Sequence, residues 1–149
     1  MSDKEKEAIL YFNEGLNCAQ SVVLSFAKEF DLNEAQALQM TSGFGAGMGR
    51  LQKTCGAVTG AFMVIGLSNS LAIQLNERRN DETVKMIQEF EKEFKSHNKT
   101  TSCDELLQCD LKTAEGQKIF QQNNLHDKVC QKCISSAINI LENILIPIK

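Results

Sequence analysis

The sequence predicts an all-α fold, a single-domain compact bundle of about six to eight helices packed around a buried, glycine-rich central helix. Three observations carry this expectation. A 3.6-residue apolar period recurs along the whole chain, while period-2 alternation is scarce. The single proline is Pro147, so nothing in the interior breaks a helix. The 149 residues contain no low-complexity tract and no linker, so residues 1–149 read as one domain.

The elements follow in order. Residues 3–14 make a first helix, capped by Ser2 and closed by Gly15. A second runs from about Cys18 to Phe30, with Val22, Phe26 and Phe30 on one face. Asn33 caps a third, which ends near Ser42. The central helix begins at Cys55 and extends to about Leu75. The stretch NDETVKMIQEFEKEF then puts Val84, Ile87, Phe90 and Phe94 on one stripe, a core face. Short helices are expected at about 103–109 and 114–122. The last, at about 127–145, carries Ile134, Ala137, Ile138, Leu141, Ile144 and Leu145. No period of about 20–50 residues repeats, which excludes a solenoid.

Composition narrows the functional classes. Apolar residues make up 42% and charged residues 23%, as in a folded chain. A net charge of −3, with no basic stripe beyond the pair Arg78–Arg79, argues against nucleic acid as a partner. The N-terminal MSDKEKEAIL is charged and does not read as a secretory signal. The most apolar run, Cys55 to Leu67, has 13 residues. A bilayer span needs about 20. No membrane span is expected, and the predicted location is cytoplasmic.

Six cysteines in such a chain are informative. Cytoplasmic thiols stay reduced, so clustered cysteines point to redox chemistry or metal binding, with core filling as the alternative. Asn17 precedes Cys18, Thr54 precedes Cys55 and Ser102 precedes Cys103. Asn, Thr and Ser are helix-capping residues, and Glu105 completes a capping box with Ser102, so three cysteines are expected at the first positions of three helices. The helix dipole and the free first-turn amides favour a thiolate there. Arg50 and Lys53 would add to this at Cys55, whereas Asp104 and Glu105 oppose it at Cys103.

Cys130 and Cys133 form a CxxC whose sulfurs would share a helix face. No strand precedes it, which excludes a thioredoxin arrangement, and Ile134 stands where a haem-attachment motif needs histidine. Cys109, in LLQCDL, reads as a packing residue. A zinc site usually has two CxxC knuckles and only one is present; His97 and His126 lack partners at ligand spacing and are expected to face solvent. The glycine run is no phosphate loop, because Gln52 stands where the pattern needs glycine, and Met48 and Arg50 break GxGxxG. Gly43, Gly45, Gly47 and Gly49 instead predict a turn whose backbone passes close to the sulfurs. Gly56 and Gly60 would offer a neighbouring helix a smooth face, at about 1 kcal/mol each against alanine.

The block CGAVTG, Cys55 to Gly60, with GFGAGMGR before it and GAFMVIGL after it, resembles the bacterial and archaeal C_GCAxxG_C_C family of redox-active proteins. Cys18 in NCAQSVVLSF, Cys103 in SCDELL and Cys130 in VCQKCISSA match the other three characteristic cysteines, over about residues 9–145. Cys109 and Cys133 are additional to that set. Association of some relatives with split-Soret cytochromes implies an iron–sulfur option; no haem is implied.

Three readings remain open at this stage. In the first, a thiol–disulfide or electron-transfer protein uses Cys55 as nucleophile and Cys18 or Cys103 to resolve it. Cys130–Cys133 would be a second pair, and an unidentified redox partner would serve the couple. In the second, Cys18, Cys55, Cys103 and Cys130 hold a [2Fe–2S] cluster or zinc. In the third, the thiols are core residues of a helical interaction domain.

Overall fold

Most helix starts are set by a side chain that takes up a free first-turn amide, each such cap contributing about 1 kcal/mol. The computed structural model describes residues 1–147, so Ile148 and Lys149 of the expected domain lie outside the described residues. The described residues form eight α-helices: α1 (Asp3–Asn13), α2 (Cys18–Ser25), α3 (Glu34–Thr41), α4 (Gly56–Ala72), α5 (Asn76–Asn98), α6 (Cys103–Leu107), α7 (Ala114–Gln122) and α8 (Gln131–Ile144). A 3-10 turn spans Ser42–Phe44 and a π-helical turn spans His126–Cys130. Ser2, Asn33 and Thr113 cap α1, α3 and α7 through their side chains. Asn17 caps α2 in a reciprocal box with Gln20. Ser102 caps α6 through the Glu105 amide, without the expected return bond from the Glu105 side chain.

Several boundaries differ from the sequence expectation. α2 stops at Ser25 rather than Phe30. The Ser25 hydroxyl donates back to Val22 O at 2.7 Å, and the amides of Phe26 and Ala27 reach only three residues back. This tightens the last turn, and Asp31 at φ +51° redirects the chain. α4 starts one residue later than expected, with Cys55 itself as its cap, and ends at Ala72. The apolar stripe of α5 is Met86, Phe90 and Phe94, with Ile87 half-buried. Val84, expected in that stripe, is 55% exposed, because it lies about 200° around the helix from Met86.

α4 is the centre of the bundle, and α2 packs on it most closely. A Cβ at Gly60 would lie 3.0 Å from Ala19 O, and one at Gly56 would lie 3.0 Å from Phe44 O and 3.1 Å from Ala19 N. Both glycines therefore admit a backbone that no side chain would allow. α1 packs against α2 and α8, and α5 lies against α4 and α8. The main core contains Val22, Phe26, Val58, Ile65, Phe90, Ile134 and Ile138. A second cluster, Cys103, Leu107, Cys109 and Leu111, sits under α6 and α7, and Val129 and Cys130 pack against both clusters. Among the described residues no helix is long and apolar enough to cross a membrane.

Candidate functional site: a cysteine-lined cavity between the two cores

The glycine segment shapes one wall of the site. Ala46, Gly47, Met48, Gly49 and Arg50 are consecutive and hold φ between +52° and +69°, and Gln52 follows at +56°. Left-handed backbone costs an ordinary residue about 1–2 kcal/mol, so Ala46, Met48, Arg50 and Gln52 are held there by surrounding structure. The amides of Gln52 and Lys53 donate to Ala46 O and Gly47 O at 3.1 and 3.0 Å. The buried Gln52 side chain donates to Cys109 O at 2.7 Å and accepts from the Leu111 amide at 2.8 Å. That clamp joins the loop to the chain after α6.

The same loop positions two cysteines. Thr54 and Ser102 form an isolated antiparallel bridge. The Cys55 amide donates to Thr101 O at 2.8 Å and the Cys103 amide to Lys53 O at 2.7 Å. Thr54 is thereby drawn into extended pairing, and Cys55 takes the capping position that the sequence had suggested for Thr54. The starts of α4 and α6 are thus joined backbone to backbone. Asn17 fixes the start of α2 beside them, its side-chain amide donating to Thr41 O and Ser42 O at 3.2 Å each.

Cys18, Cys55, Cys103, Cys130 and Cys133 all line one cavity of about 160 Å³. Its remaining walls are largely apolar, from Phe12, Leu106, Leu107, Leu111, Phe120 and Val129, with Ala46 and Gly47 of the left-handed turn at one side. Four of the sulfur-bearing residues are buried and Cys130 is half-buried. All six cysteines are free thiols. Cys109 does not line this cavity but packs behind Cys103 in the second core cluster. His97 lies away from it on α5 and is exposed.

The thiols are not equivalent. Cys55 is held below the ordinary thiol pKa, first by the neighbouring Cys133 thiol and then by the Ala57 and Val58 amides, which together outweigh burial. No cap bond of ordinary geometry runs from the Cys55 side chain, so those amides act as nearby dipoles at the helix start. Arg50 and Lys53 are exposed and are not among the causes. Cys133 is pushed well up by the neighbouring Cys55 sulfur and by burial. Cys18 is also pushed up, by the neighbouring Cys130 sulfur and by burial. Cys103 is raised to about 12 by burial, then by Cys55, Cys130 and Asp104. The expectation that a helix start favours the thiolate therefore fails at Cys18, while at Cys103 the opposition expected from Asp104 is present but smaller than burial. Burial and neighbouring sulfurs dominate there, and α6 is only five residues long.

Cys133 is the neighbour that shifts Cys55 most, and Cys130 the neighbour that shifts Cys18 most. The strongest influence on Cys55 thus comes from the CxxC cysteine that the sequence had paired with Cys130, not from Cys18 or Cys103. Cys130 ends the π turn with right-handed helical backbone and α8 follows directly, so Cys130 and Cys133 lie about one turn apart and both line the cavity. Among the described residues no three Cys, His, Asp or Glu side chains converge as a metal ion would need. The four cysteines of the proposed ligand set share the cavity without forming such a group.

Two contributors escaped the sequence reading. His126, expected to face solvent, lines the cavity and stacks on Phe12, with centroids 3.9 Å apart and planes 6° from parallel. Its Nδ1 lies 2.9 Å from Asp127 Oδ1. The only sequence signal was its position four residues before Cys130. Gln52 carried no signal beyond interrupting a phosphate-loop pattern.

No curated protein and no solved structure matches the chain. One family model does, over residues 16–144, a span that takes in all five cavity cysteines. Its description is "Putative redox-active protein (C_GCAxxG_C_C)". The chain belongs to the C_GCAxxG_C_C family.

Proposed function

We propose that this protein is a cytoplasmic dithiol–disulfide redox protein in which Cys55 is the nucleophile and Cys133 resolves it. The observation that carries the reading is that Cys55, at the start of α4, and Cys133 line one cavity together with three further thiols, with Cys133 the neighbour that lowers the Cys55 pKa most. A nucleophilic thiol must be ionised near neutral pH, and a resolving thiol must be close and still protonated. Cys55 and Cys133 divide those roles. In the reaction, the Cys55 thiolate gives two electrons to an oxidant, and Cys133 then displaces the bound oxidant fragment to form the Cys55–Cys133 disulfide. An external dithiol returns the pair to the reduced state and is itself oxidised. Cys18 and Cys130 supply a second couple in the same chamber.

The test is intact native mass after anaerobic purification, then after excess hydrogen peroxide, then after dithiothreitol. The reading expects a metal-free chain that loses two hydrogens per couple and regains them with reductant. A mass gain of two irons and two sulfides, or of one zinc, removed along with thiol reactivity by Cys55→Ser, would replace it with the ligand-set reading. Neither a metal nor a reversible loss would leave the thiols as core residues.

A further inference from the structure

The cavity walls restrict what can reach Cys55. Among the described residues, every side chain lining the chamber apart from Asn17, the sulfurs and His126 is apolar, and no Lys, Arg, Asp or Glu reaches it. A charged oxidant would enter without a partner for its charge, at a prohibitive desolvation cost. The chamber holds about 160 Å³. An apolar protein cavity of about 150 Å³ accommodates benzene, which sets the size of its occupant. Glutathione disulfide, or the loop of a partner protein, exceeds both limits.

Two neutral classes of oxidant could satisfy a dithiol here, a small disulfide or a small hydroperoxide. A disulfide carries its reactive bond between two organic arms, and both must fit beside the sulfur under attack. A hydroperoxide carries it at one end of a single arm, which suits one chamber with Cys55 and Cys133 in its wall and Phe12, Leu106, Leu107 and Phe120 beyond them. We propose, resting on the dithiol reading above, that the cavity is the binding site for small alkyl hydroperoxides, which the Cys55–Cys133 couple reduces to alcohols.

The step balances as follows. The Cys55 thiolate attacks the terminal oxygen of ROOH, forming an S–O bond and breaking the O–O bond, to give the Cys55 sulfenic acid and RO⁻. The Cys133 thiol, in the same cavity wall, gives its proton to RO⁻ and releases ROH. The Cys133 thiolate then attacks the sulfenic sulfur, forming the disulfide and expelling hydroxide, which takes up a solvent proton as water. ROOH is reduced by two electrons and the two sulfurs are oxidised by two. A dithiol reductant closes the cycle.

The experiment compares rates of Cys55–Cys133 disulfide formation with hydrogen peroxide, tert-butyl hydroperoxide, a fatty-acid hydroperoxide and dimethyl disulfide, each normalised to its rate with free cysteine. Each buried methylene is worth about fourfold in binding, so tert-butyl hydroperoxide should exceed hydrogen peroxide by roughly tenfold or more. The fatty-acid compound should fall back below it. Leu106→Trp, at a half-buried position in the wall, should bring the ratio of the tert-butyl hydroperoxide rate to the hydrogen peroxide rate down to about one. Phe120→Ala should shift the preference towards cumene hydroperoxide, and it keeps the test open should the tryptophan variant fold poorly. A flat series, a preference for dimethyl disulfide, or indifference to both variants would overturn the proposal. Hydrogen peroxide separates the two levels of the account. If it forms no reversible disulfide the dithiol reading fails, whereas a disulfide without size preference sinks the hydroperoxide site alone.

Discussion

Gly47→Ala is the most revealing single change outside the cysteines. Gly47 holds φ +66°, and a Cβ built on it would lie 2.6 Å from Gln52 Cα, 2.6 Å from Lys53 N and 2.7 Å from Gln52 C. These are backbone atoms of the two residues whose carbonyls accept from the Asp104 and Cys103 amides at the start of α6, so they cannot give way cheaply. The left-handed conformation costs alanine about 1–2 kcal/mol. Forcing a methyl into filled space adds about 1–3 kcal/mol. The expected loss is therefore roughly 2–5 kcal/mol. Gly49 provides the control, with φ +59° and its nearest outside atom, Gly43 O, 3.9 Å away. Gly49→Ala should cost only the conformational share, about 1–2 kcal/mol. Urea denaturation at constant slope gives both values from the shift in midpoint. Iodoacetamide labelling of Cys55 adds the functional readout, because moving Gln52–Lys53 moves the Cys55 amide tether. Equal losses in the two variants, or unchanged Cys55 labelling in a destabilised Gly47→Ala protein, would refute the claim that this turn positions the nucleophile.

Three further outcomes are expected. Gln52→Ala leaves Cys109 O and the Leu111 amide buried without partners and should cost about 2–4 kcal/mol, with faster hydrogen exchange at Leu111; a loss under 1 kcal/mol would mean water replaces the clamp. Cys133→Ala removes the first-ranked support of the Cys55 thiolate, so the midpoint of the Cys55 labelling profile should rise by roughly 1–2 pH units; an unmoved midpoint would assign the shift to the helix amides alone. Cys103, raised to about 12 in the fold, keeps its proton where the unfolded chain has lost it. Stability should therefore fall as pH rises from about 8.5 towards 12, and Cys103→Ala should flatten that slope. Cys55 works in the opposite sense: its lowered value adds stability above the unfolded thiol pKa that is lost as pH falls through the folded one.

The helices themselves were largely legible, because capping and apolar spacing are local. Asn17, Asn33 and Ser102 announced α2, α3 and α6, and the spacing of Gly56 and Gly60 announced a close neighbour, which is Ala19 of α2. Thr54 misled because its backbone is claimed by Ser102, far along the chain, and a one-residue shift follows. Val84 misled because the α5 stripe runs through Met86, whose burial depends on how α4 and α8 flank that helix.

The site was legible as a list of sulfurs and not as a pairing. Cysteines 18, 55, 103, 130 and 133 were all singled out, and they line one cavity. Which sulfurs come near each other depends on the packing of α8 against α4 and α1, which leaves no local mark. The ionisation state was misjudged at Cys18 for a related reason, and at Cys103 burial adds to the opposition expected from Asp104. A helix start is visible in a sequence, but the depth of burial and the presence of other sulfurs are not.

The measurement that bears most directly on the central claim is peptide mapping of the oxidised protein. The chain is treated with one equivalent of hydrogen peroxide, its remaining thiols are blocked, and the digest is read by mass spectrometry. The account predicts a peptide pair joining Cys55 to Cys133, absent after reduction. Cys55 joined instead to Cys18 or Cys103, or left free while other thiols pair, would contradict it.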